Sequence, residues 1–451
     1  MSTTSSPAVP EGAAPSAKLG SPPASPGRVL LADPNFRWLM AGSWITLLGD
    51  QFTLVALPWA VMRLTGDTAV LGAVMAAIGL PRALLILLGG AVVDRHSPQR
   101  VLMWSKHAST VLLAALAVLA WQGALTAPLI GVLALGIGVA TAFGIPSATA
   151  MLPQVLAPAL LQPANGLMMA LRQLSFFVGP LLAGGLIAWL GDTPAHTGPA
   201  PGLALAFALD AASFALSAFT LSRVVCRPRP AAVLPHPPVW AAVGEGLRAF
   251  WADAALRCCL LYWAAVAVLI MGPAHVAMPV LAASRPHWGA AAFGALLGAH
   301  GLGALLGMLL SGARPRLRWG TLGRTILLID LVVGALFMPL GHVAALWQAQ
   351  ALMLAIGVLG GYMQVAVFSW IQQRVPRALL GRAMSVFMFI FMGLVPLAGA
   401  VTGALMRLAT PAQVFTVGGG ALVVLALGAW VATPMREVRD GAPPPAAPAA
   451  S

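Results

Sequence analysis

Charged residues are scarce in this chain: Asp, Glu, Lys and Arg make up only 8% of its 451 residues. Soluble domains contain roughly a quarter of such residues, so with 59% hydrophobic residues a water-soluble globule is excluded. Apolar runs of about 20 residues, long enough to cross about 30 Å of hydrocarbon, recur along the sequence. The composition therefore predicts an all-α protein that crosses a membrane many times.

Cysteine is rarer still, and several chemical signatures are missing. The three cysteines, Cys226, Cys258 and Cys259, have no metal-ligand spacing and are interpreted as small apolar side chains. The sequence contains no glycine-rich phosphate loop with its lysine, which argues against ATP-driven chemistry. No Ser/His/Asp set and no metal-ligand cluster falls at one membrane depth. We therefore expect neither an enzyme nor a bound cofactor.

The positive charges follow a spatial pattern. The formal net charge is +13, from 25 lysines and arginines against 12 acidic residues. If the N-terminus is cytoplasmic, most of these cations, including Lys106 and Arg172, fall on cytoplasmic segments, as the positive-inside rule requires. The exceptions are Arg63, Arg285 and Arg407 outside the membrane and Arg82 within it. This distribution predicts a multi-pass protein of the plasma membrane with both termini cytoplasmic, and it excludes nucleic acid as a partner.

Twelve spans in two six-helix halves are predicted. Their approximate positions are 36–62, 69–93, 101–121, 126–146, 164–190, 203–223, 256–283, 290–311, 321–341, 344–366, 381–407 and 412–432. The N-terminal half occupies 36–223 and the C-terminal half 256–432. Between them lies a cytoplasmic linker, 224–255, with a short amphipathic helix near 239–253. The biased tails, 1–35 and 433–451, are expected to be disordered.

The two halves resemble each other weakly. GGAVVDRHSPQR (89–100) and GMLLSGARPRLR (307–318) each place small residues before a short basic loop. LSFFVGPLLAGG and FMGLVPLAGAVTG carry Pro180 and Pro396 at corresponding positions of the fifth and eleventh spans. Internal repeats of this kind are typical of transporters with a pathway between the halves, although channels can also be built from repeats.

These motifs resemble the major facilitator superfamily, specifically its twelve-helix exporter branch of multidrug and enterobactin-type siderophore exporters. GGAVVDRHSPQR is similar to that family's G-x-x-x-D-R-x-x-R-R loop, and GPLLAGG to its antiporter-associated G-P-x-x-G-G signature. Ala183 stands where the first glycine of the final pair is expected. The family's helix-four arginine motif is missing from LIGVLALGIGVATAFG. The resemblance implies a secondary transporter of small molecules, working as a monomer in the lipid bilayer of a bacterial inner membrane.

Two groups of residues have roles implied by this resemblance. The first is a cytoplasmic gate latch, in which the loop carboxylate meets the start of the eleventh helix: Gly90, Asp94, Arg95, Arg100, Gly381 and Arg382. A topological anchor that only keeps arginines inside is the alternative. The second is the fifth-helix motif, Gly179, Pro180, Gly184 and Gly185, where tight packing and a conformational role remain open.

One carboxylate and one guanidinium are predicted near the middle of the membrane. Asp50 lies about 20 Å along the first helix from Arg63, and Arg82 about 21 Å along the second from Thr68. Because an unpaired charge there costs about 2.5 kcal/mol or more, we expect the two to pair. The pair either lines a central cavity and is exchanged for substrate or proton contacts, or is structural. Arg82 is also able to accept an anion.

Four further titratable residues are candidates for a substrate or proton pathway. His275 and His300 are predicted at similar depth, about 15 Å from the outer face, and histidine changes charge near neutral pH. Asp210 and Asp330 are intramembrane carboxyls without a depth-matched cation. For all four, satisfaction by local hydrogen bonds is the alternative. Together these features predict a proton-coupled exporter of small, mostly apolar organic molecules. The alternatives are an importer or uniporter of the same fold and a non-transporting scaffold or receptor.

Overall fold

The computed structural model describes residues 26–191, 198–226, 239–314 and 317–439, and within these ranges it is helical without strands. Twelve helices are long and apolar enough to cross a membrane, as the sequence predicts. We number them α1 to α12: Pro34–Thr65, Thr68–Arg95, Pro98–Trp121, Ala127–Val155, Pro158–Trp189, Pro201–Ser222, Ala254–Ser284, Gly289–Ala313, Leu322–Gly341, Leu346–Arg374, Arg377–Leu405 and Pro411–Ala432.

Local sequence explains where these helices begin. Proline, which needs no hydrogen-bond partner for its nitrogen, occupies the first turn of α1, α3, α5, α6 and α12. The side chains of Asp33, Asp67, Asp253 and Thr321 accept hydrogen bonds from the next free backbone N–H groups. Several helices therefore start a few residues before the apolar runs that predicted them, most clearly α5, which begins at Pro158 instead of 164.

Three helices are interrupted within their span. Helix α4 consists of Ala127–Ala142 and Gly144–Val155, and α9 ends in a 3₁₀ turn, Met338–Gly341. Helix α7 contains one π-helical stretch, Ala267–Met271, directly before Gly272 and Pro273. Single π-turns inside α-helices are frequent at functional sites, so α7 has an irregular backbone in the middle of the membrane.

The helix connections define two faces of the bundle. One end of the bundle, the hairpin face, contains residues 66–67, 122–126, 198–200, 285–288, 342–345 and 406–410. The opposite end, the linker face, contains residues 96–97, 156–157, 223–226, 317–321, 375–376 and 433–439. In the division predicted from the sequence, the N-terminal half comprises α1–α6 and the C-terminal half α7–α12. Across the boundary, α5 packs against α8 and α2 against α11. These two helix pairs are the main contacts between the halves.

The linker helix, Val239–Ala252, matches the amphipathic helix predicted there. It packs mainly against α11 and buries Phe250. Asp253 follows it and caps α7 through the N–H groups of Ala255 and Leu256. The same carboxylate accepts hydrogen bonds from Arg374 at the end of α10, with Nε–Oδ2 and Nη2–Oδ1 distances of 2.6 and 3.2 Å. One side chain thereby fixes the start of α7 to the end of α10.

Replacing Asp253 by Ala is expected to lower the free energy of unfolding by about 1–3 kcal/mol, because the cap and the ion pair are lost together. Partial burial raises the pKa of Asp253, but hydrogen bonds from Arg374, Leu256 and Ala255 lower it more, so the pKa lies below its usual value. The stabilisation is therefore present above about pH 4 and disappears as the pH falls below it.

Thermal unfolding in detergent at several pH values measures this effect. Asp253→Asn keeps a good cap, so its free energy of unfolding should lie between those of Asp253→Ala and the native chain. If Asp253→Ala is as stable as the native chain at pH 7, the prediction is contradicted.

Parts of both predicted tails are folded. Residues Pro26–Ala32 form a helix with Leu30 buried, and Pro434–Glu437 form a 3₁₀ turn with Met435 buried. The backbone of Val438 accepts a hydrogen bond from Gly323 N at 3.0 Å. The assignment of 26–35 and 433–439 to disordered tails is therefore wrong. Leucine, methionine and valine in these stretches find apolar surface on the linker face. Residues 1–25 and 440–451 lie outside the described residues.

Candidate functional site

Asp50 is surrounded by cations from three other helices. Its carboxylate lies on the middle turns of α1, and Arg82 on α2, Lys106 on α3 and Arg172 on α5 act on it electrostatically, Arg82 most strongly. Asp50 and Arg172 are solvent-exposed although protein surrounds them on most sides, and Arg82 is half-buried. Exposed side chains at mid-span line an open cavity between helices instead of a packed core.

The predicted pair is only partly realised. The structure brings Asp50 and Arg82 into electrostatic range, as their matched depths suggest. Among the described residues, however, no ion-pair contact joins the Asp50 carboxylate to Arg82, Lys106 or Arg172. Arg82 Nε is buried without a hydrogen-bond partner. The charges therefore face each other across the cavity instead of forming a closed pair.

Lys106 and Arg172 were assigned by sequence to cytoplasmic segments, and this assignment is wrong. Helix α3 begins at Pro98, so Lys106 lies about 12 Å along it. It is 7% exposed, and its Nζ donates hydrogen bonds to Ser217 Oγ at 2.5 Å and Thr46 Oγ1 at 3.2 Å. The position of Arg172 inside the fifth apolar run was the available signal; for Lys106 it was the proline that starts α3.

Asp210 holds α6 against α1. It is 1% exposed and accepts hydrogen bonds from Thr53 Oγ1 and from Ser213 Oγ, the latter at 3.1 Å. A Cβ on Gly49 would lie 2.7 Å from Asp210 Oδ1, so glycine is required for this close approach. Asp210 and Asp50 act on each other electrostatically. Its local hydrogen bonds favour the packing interpretation, within range of the Asp50 site.

His275 and His300 are near neighbours across α7 and α8. Their rings act on each other electrostatically, in agreement with their predicted common depth. The Nδ1 atom of His275 lies 2.6 Å from Met271 O, the last residue of the π-helical stretch. His300 Nδ1 is buried without a hydrogen-bond partner. His275 is therefore satisfied by a helix carbonyl, whereas His300 has one free ring nitrogen.

Asp330 on α9 faces Tyr262 on α7. The two groups interact, and both side chains are buried, at 6% and 4% exposure. Neither Asp330 Oδ2 nor Tyr262 Oη has a hydrogen-bond partner of good geometry among the described residues. No described cation acts on this carboxyl, so its surroundings differ from those of Asp50.

The fifth-helix motif lies at two helix contacts. A Cβ on Gly179 would lie 2.5 Å from Gln51 Cβ on α1, and one on Gly184 would lie 2.5 Å from Ala290 O on α8. A Cβ on Gly294 of α8 would in turn overlap the carbonyl of Pro180. Gly185 faces open space. The motif thus packs α5 against its own half and against the opposite half, which is compatible with both interpretations left open by the sequence.

The halves also meet at the hairpin face, where the sequence predicted no latch. Arg407 Nη2 lies 2.5 Å from Asp67 Oδ2, joining the end of α11 to the start of α2. The hydrogen bond from Arg407 holds the pKa of Asp67 below its usual value. Thr68 Oγ1 donates to Gly403 O at 2.8 Å, and a Cβ on Gly403 would lie 2.9 Å from Gly72 Cα. The bundle is therefore closed at this face.

The predicted latch at the opposite face stays a prediction. Helix α2 continues through Arg95 and α11 begins at Arg377, so both segments are helical where the latch was expected. Arg100 is exposed in the first turn of α3. The side chains of the other members lie outside the described residues: Gly90, Asp94, Arg95, Gly381 and Arg382.

Several curated proteins are similar to this chain. An uncharacterised MFS-type transporter from Sinorhizobium fredii is 26% identical over 87% of the chain and 93% of its own length. The enterobactin exporter EntS of Salmonella typhi is 24% identical over 88% and 92%. The multidrug efflux pump Tap of Mycobacterium tuberculosis is 34% identical, but over only 35% of the chain and 37% of its own length.

Solved structures share the fold. A mutant of the nucleoside transporter NupG superposes with a TM-score of 0.70 at 15% identity, covering 87% of this chain and 98% of NupG. A D-xylose-proton symporter gives a TM-score of 0.66 at 12% identity, with coverage of 90% and 99%. At these identities the likeness concerns the fold alone. The sequence model of the family described as "Major Facilitator Superfamily" matches residues 39–400, which include most of the twelve-helix bundle. The chain therefore belongs to the Major Facilitator Superfamily and is a multi-pass membrane transporter.

Proposed function

We propose that this transporter exports small, mostly apolar organic molecules by alternating access, in exchange for protons that move inward. The observation that carries the proposal is the set of unpaired charges from α1, α2 and α5 around one open cavity. Charges in the middle of a membrane are costly and mark substrate or ion pathways. A non-transporting scaffold has no use for them.

Orientation follows from the charge distribution. Most arginines outside the bundle interior are on the linker face, which makes that face cytoplasmic under the positive-inside rule. The closed hairpin face is then the outer face, and the Asp50 cavity opens toward the cytoplasm. An exporter loads its substrate in this state. We place the protein in the inner membrane of a bacterium, with both termini in the cytoplasm.

The export direction is supported by relatives named as an enterobactin exporter and a multidrug efflux pump. The proton is assigned to one of the intramembrane titratable groups. Asp330 differs from Asp50 because no described cation acts on it, and from Asp210 because its buried Oδ2 has no hydrogen-bond partner among the described residues. Asp50, Asp210, His275 and His300 are the other candidates.

The test is dye uptake into inverted membrane vesicles that contain the full-length chain, with N-phenyl-1-naphthylamine as a neutral apolar probe. We expect uptake only while the vesicle interior is acidic, and its loss when nigericin removes the pH gradient. Vesicles from cells without the protein are the control. Uptake that continues without any gradient indicates a uniporter, and movement in the opposite direction indicates an importer; either result contradicts the proposal.

A further inference from the structure

The Asp50 cavity contains more positive than negative charges. Three described cations, Arg82, Lys106 and Arg172, act on Asp50, and one further carboxyl, Asp210, lies within electrostatic range of Asp50. Within a helix bundle in lipid, each charge is expected to have a partner. An imbalance of one positive charge remains even when both carboxylates are ionised.

The cations differ in how well they are satisfied. Lys106 has two hydroxyl partners, Ser217 and Thr46, and its Nζ lies 5.7 Å from the centre of the Phe214 ring. For Arg82 and Arg172, the described part of the chain contains no ion pair and no hydrogen-bond acceptor in contact. The excess charge is therefore located on the two arginines and not on the lysine.

The two guanidinium groups are close enough to repel each other. Arg82 Nε is buried and has no partner, although the cavity beside it is open. Arg172 Cζ lies 5.5 Å from the centre of the Phe176 ring, one helical turn further along α5. Two planar donor groups with free N–H bonds, next to an aromatic face, form an arrangement that lacks only an acceptor.

Guanidinium groups bind carboxylates and related oxyanions through parallel N–H···O bonds, and they remain charged at all physiological pH values. We propose that Arg82 and Arg172 bind the anionic group of a singly charged organic substrate, whose apolar body lies along the Phe176 side of the cavity. This inference rests on the proposed function, since it takes the Asp50 cavity as the substrate site. A monoanion balances the excess charge, whereas a neutral or cationic substrate leaves it uncompensated.

Asp50 has a defined part in this scheme. Without substrate, its carboxylate is the negative charge that acts on both arginines. A substrate anion competes with it for the same guanidinium groups, so Asp50 weakens anion binding and restores the charge balance once the anion has left. Because this competition does not release a proton when substrate binds, the exchanged proton belongs to another group, such as Asp330.

The test is equilibrium binding to the purified full-length chain in nanodiscs, read from probe fluorescence. Two probes share one apolar body: 1-anilinonaphthalene-8-sulfonate carries one anionic group, and N-phenyl-1-naphthylamine lacks it. We expect Arg172→Gln and Arg82→Gln to weaken sulfonate binding about tenfold each, because charge-assisted hydrogen bonds are lost. Arg172→Lys keeps the charge without the planar donors, so its affinity for the sulfonate should lie between those of the native chain and Arg172→Gln. Asp50→Asn should bind the sulfonate more tightly than the native chain.

Arg324→Gln, an exposed position on the linker face, is the matched control and should leave both probes unchanged. The inference is overturned if the native chain shows no saturable sulfonate binding, if Arg172→Gln binds it normally, or if the variants weaken both probes equally. Binding does not depend on flux. Sulfonate binding without vesicle uptake of either probe therefore defeats the export proposal alone, and uptake of both probes without preference for the anion defeats this inference alone.

Discussion

Asp50→Asn and Arg82→Gln are each expected to reduce export by between about tenfold and a hundredfold. Asp50→Asn adds to the excess positive charge in the cavity, at a cost of about 2.5 kcal/mol or more within the membrane. Arg82→Gln removes one of the two guanidinium groups that we propose bind the substrate anion, with a similar loss of charge-assisted hydrogen bonds. If this cost falls on the step in which the cavity closes, each 1.4 kcal/mol lowers the rate about tenfold. The measurement is initial dye uptake into inverted vesicles, normalised to the amount of protein.

The double variant distinguishes a mechanistic pair from a structural one. Asp50→Asn with Arg82→Gln removes both charges, so a purely structural pair should recover much of its function. A pair that is exchanged for substrate or proton contacts should stay inactive. Arg324→Gln is the control for loss of an arginine elsewhere. If both single variants transport normally, Arg82 is a structural counterion, and coupling has to be sought at Asp210, Asp330 or the histidines.

Gly403→Val is expected to abolish export while the protein still reaches the membrane. A Cβ at position 403 would overlap the Thr68 carbonyl oxygen and approach Gly72 Cα to 2.9 Å, both of them backbone positions on α2. Overpacking of this kind costs about 1–3 kcal/mol and acts only on the state in which α2 and α11 are in contact. The balance between closed and open hairpin face then shifts about tenfold or more toward the open state.

Accessibility measures this shift directly. Ala400 faces Gly72 across the same contact, so Ala400→Cys should react slowly with a membrane-impermeant maleimide from the outside. Adding Gly403→Val should raise the labelling rate at least severalfold. Gly420→Val on α12 is the matched control, because its Cβ would meet no atom within 4 Å. Normal export together with unchanged labelling shows that closure of the hairpin face is not part of the transport cycle.

The contacts at the hairpin face explain why a mutation there is expected to have a large effect. Asp67 and Arg407 connect the two halves by an ion pair that is exposed and therefore weak by itself. The glycine contacts beneath it bring backbone against backbone, where a side chain has no room. Closure is thus specified mainly by small residues, and the ion pair selects which helix ends meet.

Prediction from sequence succeeded where a residue's position along one helix was sufficient. The spans, the linker helix and the common depth of Asp50 and Arg82 depend on periodicity and rise per residue, which are local properties. The same method failed for Lys106 and Arg172. Both are cations near predicted helix ends, and the positive-inside rule assigned them to the cytoplasm because it contains no information on which side chains have partners inside the bundle.

The Asp67–Arg407 contact shows a second limit. The two residues lie far apart in the chain, and each stands in a short polar loop that resembles any other loop. Only the packing of α2 against α11 brings them together. Likewise, equal depth predicted a closed Asp50–Arg82 pair, but depth leaves open the rotation of each helix and the width of the cavity between them.

The sequence by itself determined the membrane as solvent and the twelve helices, and it predicts their division into two halves and the orientation of charge. These properties follow from hydrophobicity, helix rise and loop charge, each of which is a sum over local residues. Only the tertiary structure decided that Arg82, Arg172 and Asp50 share an open cavity without closed ion pairs, and that the hairpin face is shut. The reason is physical: such contacts depend on the relative rotation and separation of helices, which close packing of residues distant in the chain sets.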